Sequence, residues 1–89
     1  MIIPAYNEEE SILNTVMSIV EYRKKVDFDL DYVVINDGSV DRTKEILDSH
    51  NLNAIHLVMN LGIGGAVQTG YKYALENNYD VAVQFDGDG

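Results

Sequence analysis

The chain contains no cysteine and no tryptophan, a single proline, and only six lysines and arginines among its 89 residues. Without cysteine neither a disulfide nor a thiolate metal site can form, and the redox compartment is left open. No apolar run approaches the roughly 20 residues of a membrane span, and the N-terminus lacks the basic start of a signal peptide, so a cytoplasmic location is the expectation. Fifteen acidic residues against the six basic ones give a net charge of -9. Such a surface repels phosphate backbones, which argues against nucleic acid as a partner. The same scarcity of basic groups implies that an anionic nucleotide would be met through a divalent cation.

What is present is an ordinary globular composition, 46% apolar and 24% charged, in a chain long enough for one small domain. Periodicity predicts strands alternating with helices. The strands are expected at Met1 to Ile3, Tyr32 to Ile35, Ala54 to Met59 and Val81 to Phe85. Asn7 with Glu10 three residues on has the form of a capping box for a first helix with Ile12, Leu13, Val16, Met17, Ile19 and Val20 on its apolar side. Ser39 or Asp41 is expected to start a second helix that turns Ile46 and Leu47 inward. A third follows the loop Asn60 to Gly65, runs to about Asn77, and is expected to bury Val67, Tyr71, Ala74 and Leu75. Gly70 inside it costs roughly 1 kcal/mol against alanine, which suggests a close approach to the sheet. Strands separated by helices imply right-handed crossovers and a parallel, doubly wound α/β sheet.

Three segments at predicted strand ends carry the chemistry. Pro4-Ala5-Tyr6-Asn7-Glu8 follows the first strand, and turn and cap preferences account for each of its residues except Tyr6, whose ring offers a face on which a base can stack. Asn36-Asp37-Gly38-Ser39-Val40-Asp41 follows the second; Asp37 can accept an N–H from a nucleobase, while Ser39 and Asp41 read as turn and cap. Asp86-Gly87-Asp88 follows the fourth, placing two carboxylates one residue apart where a strand opens into a glycine-rich turn, an arrangement that can converge on one hard cation. The glycines at 62, 64 and 65 do not form a dinucleotide fingerprint, because the third glycine of G-x-G-x-x-G would fall on Val67 and the loop follows the third strand rather than the first. The N–H groups of Gly64 and Gly65 are candidates for helix N-terminal donors. His50 and His56 lie in no ligand spacing and read as ordinary helix-end or strand residues. Tyr71, Tyr73 and Tyr79 signal only packing.

In combination these segments resemble glycosyltransferase family 2, inverting nucleotide-sugar transferases of the GT-A fold, and especially its dolichol- or polyprenyl-phosphate mannosyltransferase-like branch. The resemblance covers the whole chain. It implies a three-layer sandwich with a parallel four-stranded, Rossmann-like sheet of order 3-2-1-4 and helices on both faces, with the ligand outside the carboxyl ends where the winding reverses. It implies a nucleoside diphosphate sugar bound by Pro4, Ala5, Tyr6, Glu8, Asp37, Gly64, Gly65 and Asp86. Asp86 and Asp88 would form a DXD motif holding Mg or Mn, and Asp88, supported by Asp86, would be catalytic in the electrostatic sense. The acceptor would be a lipid phosphate or a saccharide. Ile63 stands where similar enzymes often carry lysine or another polar residue. Because the family's acceptor-binding half follows the DXD motif, residues 1 to 89 are expected to be the nucleotide-binding half of a longer protein, inactive alone, with peripheral membrane association supplied by other regions. Two alternatives are a nucleotide-binding module without chemistry and a sugar-nucleotide nucleotidyltransferase. The latter normally leads with a glycine-rich, basic segment, which Pro4-Ala5-Tyr6-Asn7 is not.

Overall fold

The computed structural model describes residues 1–27, 30–79 and 82–84. Three strands, β1 (Ile2–Ala5), β2 (Val33–Asn36) and β3 (Ala54–His56), alternate with three helices, α1 (Ile12–Arg23), α2 (Thr43–Ser49) and α3 (Gly62–Glu76). The strands are parallel, with β2 between β1 and β3, Ile2 opposite Val33, and Asn36 flanked by Ala5 and His56.

Alternation along the strands sorts the core into two layers. Ile3, Ala5 and Val34 point to one face and meet Ile12, Val16 and Ile19 of α1 and Leu47 of α2. Ile2, Val33 and Ile35 point to the other and meet Ala66 of α3. A sheet covered on both faces is why the strands read as unbroken apolar runs. Each fully buried isoleucine or leucine contributes about 1.5–3 kcal/mol.

The described sheet has three strands, whereas the expected sheet has four. Beside it, Ile2 donates to the Val83 carbonyl at 2.7 Å and forms a single parallel bridge with Gln84. Met1 in turn accepts from Val33 at 3.0 Å. Successive residues of a strand bond to opposite sides, so residues 82–84 run along the edge of β1 away from β2. Val81 and Phe85, on which a fourth strand also rests, lie outside the described residues.

The termini of several elements differ from expectation. α1 starts at Ile12 with Ser11 at its N-cap, not at Asn7. Asn7 sits at φ 51°, outside the extended region a capping residue uses, and spends its side chain on the Val40 N–H at 2.8 Å. The Asn7–Glu10 capping box therefore does not form, because a contact between loops takes its first member. β3 ends at His56 rather than Met59. The chain then leaves the sheet to reach Asp37, and Val58 and Met59 are exposed. α3 begins at Gly62, so Gly64 and Gly65 belong to its first turn and not to a loop.

α3 also faces the sheet with a different side. Ala66, Gly70 and Ala74 are its buried residues, while Tyr71 and Leu75 are exposed. Steps of four keep 66, 70 and 74 on one face and set 67, 71 and 75 a further 100° around the helix. Small residues are needed there because a Cβ on Gly70 would lie 2.3 Å from Cγ2 of Ile2, a buried, stiff β-branched side chain. Gly70→Ala would gain about 1 kcal/mol of helix propensity. Overpacking against Ile2 outweighs that, and a net destabilisation of about 1–3 kcal/mol is expected in denaturant unfolding. Pairing the change with Ile2→Ala should recover part of the loss in a double-mutant cycle, whereas simple additivity would rule out the clash.

Candidate nucleotide-binding site

The site is built where β1 and β2 end side by side. The Asp37 N–H donates to the Ala5 carbonyl at 2.8 Å, so Tyr6 and Asp37 leave the same edge of the sheet. Ala5 is buried and Pro4 half-buried, while Tyr6 is 46% exposed, so its ring is open to a ligand. Gln84, bridged in parallel to Ile2, runs toward this same edge. Asp86 and Asp88 lie outside the described residues. Among the described residues no three histidines or carboxylates come together as a metal site.

Asp37 is 4% exposed, an unusual place for a carboxylate. Its Oδ1 accepts the Leu61 N–H at 2.7 Å and its carbonyl accepts Asn60 Nδ2 at 3.1 Å. Leu61 is the N-cap of α3, so the carboxylate stands at the positive end of that helix, where negative charge is favoured. Among the described residues Oδ2 accepts no hydrogen bond. Gly62 donates to Asn60 Oδ1 at 3.1 Å. Of the first helical N–H groups, those of Ile63 and Gly64 precede the intrahelical ladder, and that of Gly65 falls where the Leu61 carbonyl is its partner. A Cβ on Gly64 would meet nothing within 4 Å, so its surroundings are open.

A second set of bonds ties the loop after β1 to the loop after β2. The N–H of Asn7 donates to Ser39 Oγ at 3.0 Å, that of Glu8 to Thr43 Oγ1 at 2.9 Å, and that of Glu9 to Asp41 Oδ2 at 3.2 Å. The Glu8 carbonyl accepts from Ser11 and Ile12 at the start of α1. Asp41 Oδ1 accepts both the N–H and the hydroxyl of Thr43, an Asx turn leading into α2. Ser39 and Asp41 thus act in turns, but neither is the expected start of α2, whose N-cap is Arg42 and whose first residue is Thr43.

Partial desolvation acts to raise the Asp41 carboxyl, but the hydrogen bonds from Thr43 and Glu9 outweigh it and hold it below the usual carboxylate range. A depressed folded-state value stabilises the protein above the unfolded carboxylate range, and this stability is lost as pH falls through the folded value. Asp41→Asn is therefore expected to lower the thermal midpoint by roughly 5 °C at neutral pH, with the gap to the parent closing in acid. A gap independent of pH would show that the charge plays no part.

Two residues of this edge escaped sequence reasoning. Asn36, 2% exposed, hydrogen bonds His56 Nδ1 across the strands and accepts from the Ser39 hydroxyl. Their proximity follows from strand register, which a single sequence does not display; the one signal was a polar residue closing each of two apolar strands.

The family model of glycosyl transferase family 2 matches residues 1–89. The chain is 37% identical to a UDP-N-acetylglucosamine–dolichyl-phosphate N-acetylglucosaminyltransferase of Methanococcus voltae, with all of this chain and 40% of that protein covered. It is 34% identical to an undecaprenyl-phosphate mannosyltransferase of Micrococcus luteus, covering 99% of this chain and 37% of the relative. It is 32% identical to a dolichyl-phosphate beta-glucosyltransferase of Dictyostelium discoideum, covering 96% and 31%. The chain thus spans about a third of the length of these curated relatives. No solved structure matches it. With the segments after β1 and β2 side by side at one edge of a parallel sheet, and the match running from the first residue to the last, the chain belongs to glycosyl transferase family 2.

Proposed function

We propose that the protein carrying this chain transfers a sugar, with inversion, from a nucleoside diphosphate sugar to a polyprenyl phosphate, and that residues 1 to 89 form the donor-binding half of a GT-A domain. The observation that carries this reading is the full-length family match together with relatives named for dolichyl or undecaprenyl phosphate. In this reading the sheet is completed to the order 3-2-1-4 by the strand that includes residues 82–84. The acceptor is lipid and not saccharide, and transfer occurs at the cytoplasmic face of a membrane.

The described residues have defined tasks in that reaction. Tyr6 stacks on the base. Asp37 Oδ2 accepts a base N–H while Oδ1 stays on α3, so one carboxylate both reads the nucleotide and holds the helix whose N–H groups at Ile63 and Gly64 face the diphosphate. Asp86 and Asp88 would hold a divalent cation, Mg or Mn, whose chemistry is to neutralise the charge that grows on the leaving nucleoside diphosphate. A phosphate acceptor is already ionised at neutral pH and needs no strong general base.

Asp37→Asn separates the two tasks of that side chain. The amide oxygen can keep the Leu61 bond, but Nδ2 then presents a donor where the base needs an acceptor. Calorimetry is expected to show nucleoside diphosphate affinity reduced roughly 10- to 100-fold, the loss of one charged hydrogen bond, with little change in melting. Unaltered affinity in a folded variant would remove base recognition from Asp37.

A further inference from the structure

The ring of His56 closes a polar chain that reaches the candidate site from the far side of the sheet. His56 Nε2 lies 2.8 Å from Asp48 Oδ1 on α2, and its Nδ1 lies 3.0 Å from Asn36 Nδ2. Asn36 Oδ1 accepts from the hydroxyl of Ser39, and Ser39 Oγ accepts from the Asn7 N–H at 3.0 Å. The side chain of Asn7 returns to Val40 N–H at 2.8 Å, and its backbone is held at φ 51°, a region L residues seldom occupy.

The direction of every proton in this chain follows from one carboxylate. Asp48 can only accept, so in the neutral ring Nε2 carries the proton and Nδ1 is the acceptor. An acceptor at Nδ1 requires the NH2 of Asn36, which turns the amide oxygen toward Ser39. That oxygen takes the Ser39 proton and leaves the hydroxyl lone pairs for Asn7. Were the amide reversed, its NH2 would compete with Asn7 at the same hydroxyl and its oxygen would face the Nδ1 lone pair. Asn36 is buried, so water cannot repair that mismatch.

Resting on the nucleotide site proposed above, we infer that His56 is a positioning residue for donor binding: oriented by Asp48, it fixes the Asn36 amide and, through Ser39, the Tyr6–Asn7 turn against which the base is held. His56 touches no reacting atom. Its loss should weaken the donor complex, in which Tyr6 must be in place, and leave the chemical step of the bound donor alone.

The test compares the parent, His56→Leu and His56→Gln, the last retaining a side-chain acceptor for Asn36. At a temperature below all three melting transitions, His56→Leu is expected to raise the donor Kd and KM roughly tenfold at unchanged kcat, with His56→Gln restoring most of the affinity. Parent-like Kd and KM in a folded His56→Leu, or a fall in kcat alone, would overturn the proposal. Ring nitrogen chemical shifts of the parent give a second arm that needs no variant: the neutral ring is expected to be the Nε2–H tautomer, and an Nδ1–H tautomer would break the chain at its first link. A parent that binds no nucleoside diphosphate would refute the proposed function instead, which distinguishes the two failures.

Discussion

Asp88→Asn is expected to slow sugar transfer by on the order of 100-fold or more, a few kcal/mol of transition-state stabilisation. The substitution keeps the size of the side chain and removes its charge. With fifteen acidic and six basic residues, this chain offers few groups of its own to balance a diphosphate, so basic neighbours should not make up for a cation lost from the proposed site. The loss should appear in metal-dependent donor binding and in turnover together. Asp37→Asn should differ by impairing recognition of the base far more than the response to Mg or Mn. The check is the transfer rate of each variant across a titration of either cation. Activity of Asp88→Asn equal to the parent's, with and without added metal, would take the metal role away from this residue.

Gly38→Ala is expected to be the most destabilising small change in the described residues. Gly38 lies at φ 69°, and a Cβ there would stand 2.6 Å from both the Asn60 nitrogen and the Met59 carbonyl carbon. These are backbone atoms, which cannot rotate aside as a side-chain tip can. The variant must either abandon the turn that presents Asp37 or push residues 59–61 away and pull the Leu61 N–H off the Asp37 carboxylate. Left-handed strain and displaced backbone together cost about 3 kcal/mol or more, which in a domain of this size lowers the thermal midpoint by over about 10 °C. Gly64→Ala is the control, because its Cβ would enter open space on a helix and should leave stability unchanged or slightly raised. Equal melting of Gly38→Ala and the parent would contradict the close approach of the two loops.

The parts of this structure that could be read in the sequence are those set by local periodicity. Val33 to Ile35 is apolar throughout and forms the central strand, and Ile12, Val16 and Ile19 recur at helical spacing and are buried. Gly70 announced a tight helix–sheet contact, and Ile2 supplies it. The failures have a common physical origin in contacts between segments distant in sequence. Asn7 has the composition of a cap, but Val40 and Ser39 compete for it and win. Val58 and Met59 continue an apolar run, yet the attachment of Asn60 and Leu61 to Asp37 draws the chain off the sheet before they can join it. Tyr71 and Leu75 are more hydrophobic than Ala66 and Gly70, but the near approach of α3 admits only small side chains beneath it. The strand-end positions of Tyr6 and Asp37 could be read from the sequence, whereas the bond of Asp37 to the start of α3 and the contact of His56 with Asn36 depend on pairing that only the fold reveals.

The most direct measurement is product analysis with the intact protein, supplied with labelled nucleoside diphosphate sugars, a short polyprenyl phosphate and Mg or Mn. Lipid-linked sugar with inverted anomeric configuration, formed by the parent and reduced on the order of 100-fold in Asp88→Asn, is the predicted result. Label passing to a saccharide acceptor, retention of configuration, or no transfer from any nucleotide sugar to the lipid phosphate would contradict it.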